Sequence, residues 1–252
     1  MRHSRALLVL SATALGTAVM LPVAAQAAVV RPATVACTES ALVAAVNAAN
    51  SAGGGTVTLT PGCTYTLTAS HGSDGVNGPD GLPVITTPVS FSGNANVITR
   101  APGAAPFRVV QVAPTGALTL NAVTLSGGDA TAADNNGGGV LNFGGFTATG
   151  SALSGNTAAG TGGALYNSGI SSAATFTSST VKSNHAARGA GLADNLGTLT
   201  TTSTVINANA ASTSPGGVYF LAGTITTTST TITANTPTNC VGSPSPVPGC
   251  VG

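Results

Sequence analysis

GALTLNAVTLSGG (116–128), GGFTATGSALSGN (144–156), SAATFTSSTVKSN (172–184), GTLTTTSTVINAN (197–209) and GTITTTSTTITAN (223–235) are five versions of one phrase. Their starts lie 28, 28, 25 and 26 residues apart. A repeat in the twenties is the mark of a solenoid, in which each turn of chain stacks on the one before. The third position of the phrase holds Leu118, Phe146, Ala174, Leu199 and Ile225, and the tenth holds Leu125, Leu153, Val181, Ile206 and Ile232. These columns are apolar in every line and face inward. Between them the pattern alternates with the two-residue period of a strand. The fourth position is Thr119, Thr147, Thr175, Thr200 and Thr226, and the sixth is Asn121, Thr149, Thr177, Thr202 and Thr228. These side chains point outward, where β-branched Thr suits a pleated surface.

Two further columns mark bends. The seventh position is always Ala, Gly or Ser. The thirteenth is Asn156, Asn184, Asn209 and Asn235, with Gly128 in the first line. Asn and Gly share a tolerance for left-handed backbone, so this column reads as an αL corner. A stacked Asn column also has the chemistry to hydrogen-bond along the axis, as amide ladders do. Between the phrases lie GGGVLNFG (137–144), GGALYNSG (162–169), GAGLADNLG (189–197) and GGVYFLAG (216–223). Each joins a Gly turn to a brief apolar strand, giving about three short strands per coil.

Residues 1–27 read as a signal peptide. Arg2 and Arg5 precede an apolar run from Ala6 to Met20, and Ala25-Gln26-Ala27 is a cleavage signature. No later segment is apolar enough to span a bilayer. From Ala28 on, Arg31, Arg100, Arg108, Lys182 and Arg188 face Glu39, Asp74, Asp80, Asp129, Asp134 and Asp194, five against six, a net charge of −1. Without a basic cluster, nucleic acid is excluded as a partner. The domain runs over 28–240, with a Pro-rich tail at 241–252. Four cysteines follow the leader, Cys37, Cys63, Cys240 and Cys250. An even count in an exported chain points to disulfides. Three connectivities exist, of which Cys37–Cys63 with Cys240–Cys250 is the simplest. TESALVAAVNAAN (38–50) is a capping helix over the open sheet edge, started by Thr38 and lined by Leu42, Val46 and Ala49. With its flanks it forms an N-terminal cap of about 37–63. The stretch 69–82 reads as a surface loop. Its Asp74, Asn77 and Asp80 offer oxygens three apart, not the two-apart spacing of a calcium loop, so calcium is only the alternative there and no cofactor is expected.

The order CTESALVAAVNAANSAGGGTVTLTPGCTYTLT, GLPVITTPVSFSGNANVITR, FRVVQV and then GGALYN-type repeats resembles secreted bacterial right-handed parallel β-helix proteins. It is similar to the pectin-lyase-like superfamily and to the GGxxYN repeats of polymorphic outer membrane proteins. The resemblance covers essentially the whole mature chain. It implies an all-β right-handed parallel β-helix and an extracellular place. It leaves the activity open, since such proteins include polysaccharide lyases, glycoside hydrolases and adhesins.

The catalytic patterns of those enzymes, an Asp cluster or an adjacent Asp pair, are missing from this chain. Asp129 and His185 each lie one place past the Asn column, two coils apart, which is ~10 Å by the stacking distance. Asp134 and Arg188 share their loops. These four are the candidate binding residues, with solvated loop charges as the competing reading. Tyr166, Tyr219, Phe143 and Phe220 are the aromatics available for sugar stacking, and their apolar strand runs place them in the core instead. The resulting expectation is a secreted, non-catalytic structural or binding module directed at extracellular polysaccharide or a cell surface. The alternatives are a lyase or hydrolase, and an ice-binding face built from the T-x-T columns.

Overall fold

The computed structural model describes residues 34–132 and 136–252; the stretch 1–27 read as a signal peptide and Asp134 lie outside them. The repeated phrase stacks in parallel register at the intervals read from the sequence. Thr119 pairs with Thr147, Thr147 with Thr175, Thr175 with Thr200 and Thr200 with Thr226. Upstream, Ser90 takes the same place below Thr119, and Thr56 below Ser90. A second row runs Leu125, Leu153, Val181, Ile206 and Ile232. The Gly-rich runs supply a third, Gln111, Leu141, Tyr166, Ala193 and Tyr219. Among the described residues the chain is thus an all-β parallel β-helix with about five turns and one short helix. Beyond the three expected strands per coil there is a fourth rung. Two-residue strands just past the Asn column form their own small sheet, with Asp129, Thr157, His185 and Ala210 side by side.

The core is a stack of inward columns that compensate one another. Leu118, Phe146, Ala174 and Leu199 are buried, and so are Leu120, Ala148, Phe176 and Thr201 two residues further along each strand. Where one coil offers Phe146 and Ala148, the next offers Ala174 and Phe176. The two rings meet at 5.5 Å between centroids, tilted by 51°. Large beside small in alternate coils keeps an interior at native density without voids.

The bends are sharper than the sequence reading placed them. The seventh position is left-handed in every phrase, at Ala122, Gly150, Ser178, Ser203 and Ser229. The second left-handed column is the twelfth, at Gly127, Gly155, Ser183, Ala208 and Ala234, and not the Asn column beside it. The αL assignment of Asn156, Asn184, Asn209 and Asn235 is therefore corrected. These side chains turn inward, and the first three are fully buried. Asn156 Nδ2 donates to Asn184 Oδ1 at 3.0 Å, Asn184 Nδ2 to Asn209 Oδ1 at 2.9 Å, and Asn209 Nδ2 to Asn235 Oδ1 at 2.9 Å. Each Oδ1 also accepts a backbone N–H from the coil below, beginning with Gly128 N to Asn156 at 3.0 Å. The axial amide ladder is what the column builds. Gly128 fits the first line because a ladder's end needs a backbone donor and no side chain; a Cβ there would meet Gly138 O at 2.1 Å.

Strain therefore sits at the seventh and twelfth positions. Ser203 is exposed with φ of 48°. At the equivalent Gly150 an added Cβ would touch nothing within 4 Å, so space is not the constraint. Conformation is. Ser203→Gly is expected to hold or raise stability, and Ser203→Val to lower it by about 1–2 kcal/mol. Urea midpoints decide; equal midpoints for all three chains would remove strain as the reason for small residues in this column.

Both ends are closed as the cysteine positions suggest. The bridges are Cys37–Cys63 and Cys240–Cys250. The helix Glu39–Ser51 is capped by Thr38, whose hydroxyl accepts from Ala41 N at 3.3 Å, and it buries Leu42, Val46 and Ala49. Glu39 does more than meet the helix dipole. Its carboxylate accepts from Thr68 N at 2.8 Å, Thr68 Oγ1 at 2.5 Å and Ala69 N at 3.2 Å, and it pairs with His71 at 2.8 Å. Burial works against its charge, and these bonds overcome it, holding its pKa down at about 2. At the far end Asn239 N and Cys240 N both reach Gly252 O, and Ser245 N donates to Phe220 O. Two disulfides fit folding in an oxidising compartment. No helix among the described residues is long and apolar enough to cross a membrane.

Candidate functional site

The stretch 69–82 is not the plain surface loop its composition suggests. Asp80 is fully buried, and Arg108 beside it is 1% exposed. Arg108 Nη1 donates to Asp80 Oδ1 and to Gln111 Oε1, both at 3.2 Å. Gln111 Nε2 then donates outward to Asp74 Oδ2 at 2.7 Å. Burial lifts Asp80 to about 7, with Arg108 pulling the other way. Asp74 instead collects donors. Val76 N and Asn77 N reach its Oδ1 at 2.9 and 2.7 Å, and Asn77 Nδ2 reaches Oδ2 at 2.5 Å. Asp74, Asn77 and Asp80 thus serve different ends: two shape a turn, and the third anchors that turn to the core.

The outer end of this relay, Gln111 and Asp74, lines a cavity of ≈ 500 Å³. Ser73, Asp74, Asn77, Thr86, Gln111 and Phe143 are among its lining residues. The size lies within the range of small-ligand sites. Gln111 is also the first residue of the outward row that continues through Leu141, Tyr166, Ala193 and Tyr219. Tyr166 and Tyr219 are half-buried, not core, because strand alternation turns them out while Leu165, Asn167, Val218 and Phe220 turn in. Two strand spacings, ~10 Å, separate them. The Asn195 amide fixes Tyr166 by donating to its hydroxyl at 3.1 Å. The glycine run before the strand makes room: a Cβ at Gly189 would lie 2.6 Å from the Cβ of Tyr219. Phe143 is likewise half-buried, at the cavity, while Phe220 alone of the four aromatics is core.

Behind the tyrosine row lies a second ladder. Asn142 Nδ2 donates to Asn167 Oδ1 at 2.6 Å, and Asn167 Nδ2 to Asp194 Oδ1 at 2.5 Å. Asp194 is fully buried, and its Oδ2 has no partner among the described residues. Phe220 takes the next place in the column. Burial raises Asp194 to about 6, against the Asn167 hydrogen bond.

The residues singled out in the sequence lie on another side of the coil. Asp129 and His185 sit on the small fourth sheet with Thr157 between them. Asp129 is engaged by Arg100 Nη2 at 3.4 Å and Thr131 Oγ1 at 2.6 Å, and Arg100 is itself held by Gly127 O and Ala104 O. His185 and Arg188 are exposed. Arg188 immediately precedes Gly189, which abuts Tyr219, so its backbone stands at the edge of the tyrosine row. Asp134 lies outside the described residues. Sequence reading missed the Asp80–Arg108–Gln111–Asp74 relay and the second ladder. The ladder had a signal: Asn142, Asn167 and Asp194 occupy one place in successive Gly-rich runs. The relay had none, because nothing local pairs residue 80 with residue 108. Comparisons of the chain with protein-family models, with curated proteins and with solved structures give no match.

Proposed function

We propose that the protein is a secreted, non-catalytic module that binds extracellular polysaccharide along the tyrosine row. One observation carries this reading. Two half-buried tyrosines stand in a single straight outward row that begins beside a largely apolar cavity with Asp74, Asn77 and Gln111 in its wall. A linear polymer needs such a straight, repeated surface, and each ring offers an apolar face with a hydroxyl at its rim. Catalysis by lyase or hydrolase chemistry needs acid and base groups converging on one reacting atom. Asp129 is occupied by Arg100 and Thr131, Asp194 points into the core, and Asp74 is held ionised by four protein donors and so is a poor proton acceptor or donor. Arg188 is retained as a binding residue at the row's edge; Asp129 and His185 remain candidates on the small fourth sheet, and Asp134, also a candidate, lies outside the described residues. The test is retention on a panel of immobilised polysaccharides, with new reducing or unsaturated ends read in the same samples. Tyr219→Ala and Tyr166→Ala are expected to weaken retention about 10-fold or more, at 1–3 kcal/mol per lost stacking platform. No end groups should accumulate. Retention unmoved by both substitutions would defeat the reading.

A second reading rests on the opposite chemistry. Thr119, Thr147, Thr175, Thr200 and Thr226 stack over five coils beside Thr149, Thr177, Thr202 and Thr228, an uncharged regular face. Such a face suits an ordered solid surface, ice included. Thermal hysteresis of the purified protein, abolished by Thr175→Tyr, would establish it.

A further inference from the structure

We propose that the cavity at the head of the tyrosine row selects an amino-bearing sugar unit and turns away a uronate. The inference rests on the polysaccharide-binding reading above and names the ligand class of that same site. Its ground is the distribution of charge and of unused hydrogen-bonding groups. Asp74 is the single ionisable side chain among the lining residues. Its four donors, Val76 N, Asn77 N, Asn77 Nδ2 and Gln111 Nε2, overcome the effect of burial and hold it ionised, well below the usual carboxylate range.

Arg108 stands behind Gln111 and is not among the lining residues. It is 1% exposed, and its Nη1 is shared between Asp80 Oδ1 and Gln111 Oε1. The charge at the cavity wall is that of Asp74, while the Asp80–Arg108 pair is buried behind that wall. A carboxylate entering here meets a like charge with no cation presented to it, whereas an ammonium meets an opposite one. Arg188 belongs three strands further along the row, on the coil of Ala193, and does not alter the charge at the head.

The remaining groups suit sugar hydroxyls. Ser73 Oγ accepts from Gly75 N at 3.0 Å, which leaves its own hydrogen to give. Asn77 spends its Nδ2 on Asp74, and its Oδ1 accepts no hydrogen bond among the described residues. Thr86 is exposed, with a hydroxyl that is likewise unengaged. Phe143 supplies the apolar face across the cavity. Donor, acceptor, negative charge and ring in one cavity describe a hexosamine with a free amine better than any acidic sugar.

The experiment is calorimetric titration with three oligosaccharides of equal length: de-N-acetylated chito-oligosaccharide, its N-acetylated form and oligogalacturonate. Wild type is expected to bind the amine form several-fold tighter than the acetylated form and to show no heat with oligogalacturonate. The amine preference should shrink at high salt, because an ion pair at a partly open wall is screened. Asp74→Asn should bring the amine and acetylated forms level. If that variant fails to fold, the salt dependence alone decides. Wild type binding oligogalacturonate best, with the affinity lost in Arg188→Ala or Tyr219→Ala, would keep the module and overturn this selectivity. An amine preference unmoved by both salt and Asp74→Asn would also overturn it. Binding to none of the three, together with no retention on the polysaccharide panel, would remove the module reading and this inference with it.

Discussion

Asn209→Gly is expected to lower stability by on the order of 4 kcal/mol. The sequence alone suggests the reverse, since Asn and Gly interchange at left-handed corners. The backbone at Asn209 is not left-handed, and the strained residue is its neighbour Ala208. Glycine would therefore relieve nothing. It would remove an Oδ1 that accepts from Asn184 N at 3.1 Å and Asn184 Nδ2 at 2.9 Å. It would also remove an Nδ2 that donates to Val181 O at 3.1 Å and Asn235 Oδ1 at 2.9 Å. Each buried polar group stranded in this way costs ~1–3 kcal/mol, and ladder neighbours share the loss, so the total falls below a simple sum. Asn209→Asp keeps the acceptor and discards the donors, and should fall between. Urea unfolding at neutral pH gives the comparison. A Gly variant within about 0.5 kcal/mol of wild type would mean that the ladder contributes nothing net.

The same position shows what a sequence does and does not disclose. Register was legible because the phrase repeats at 28, 28, 25 and 26 residues, and side-chain alternation ties register to burial. The stripe Leu42, Val46 and Ala49 and the bridges Cys37–Cys63 and Cys240–Cys250 were legible for similar local reasons. The bend at Asn209 was placed one residue late because Asn serves two purposes, left-handed backbone and amide stacking. Only the direction of the side chain separates them. Asp80 was read with the surface loop 69–82 because ionisable residues usually lie outside, and Arg108 was given no place beyond its strand run FRVVQV. Their burial is a tertiary fact: Asp80 and Arg108 bridge in register only after the loop at 71–80 has folded back. Tyr166 and Tyr219 were assigned to the core from their apolar neighbours. Alternation within LYNS and VYF puts them outside, and the period, not the composition, was the better guide.

Asp194→Asn should flatten the decline in stability between pH 4 and pH 8. Asp194 occupies the place of Asn142 and Asn167 in the inner ladder but carries an acid where they carry an amide. Only Asn167 Nδ2 serves it, at one oxygen, and the other oxygen is buried without a partner. Burial raises it from the ordinary 3.8 to about 6. Between those values the folded chain holds a proton that the unfolded chain releases. Stability from this group is full below pH 4, declines as pH rises towards 6 and is lost above it. At 1.36 kcal/mol per pH unit the whole step is about 3 kcal/mol. The variant cannot titrate, so variant minus wild type should move by about that amount in the variant's favour from pH 4 to pH 8. Absolute stability is a poorer measure, because Phe220, next in the column, offers the new amide no side-chain acceptor. Asp80 shifts in the same direction, and Glu39 and Asp74 in the opposite one, in both chains alike. Subtraction removes all three, and leaves the acid of the inner ladder as the cause. Parallel unfolding curves at pH 4, 6 and 8 would show that Asp194 is ionised throughout, with a partner in solution that offsets its burial.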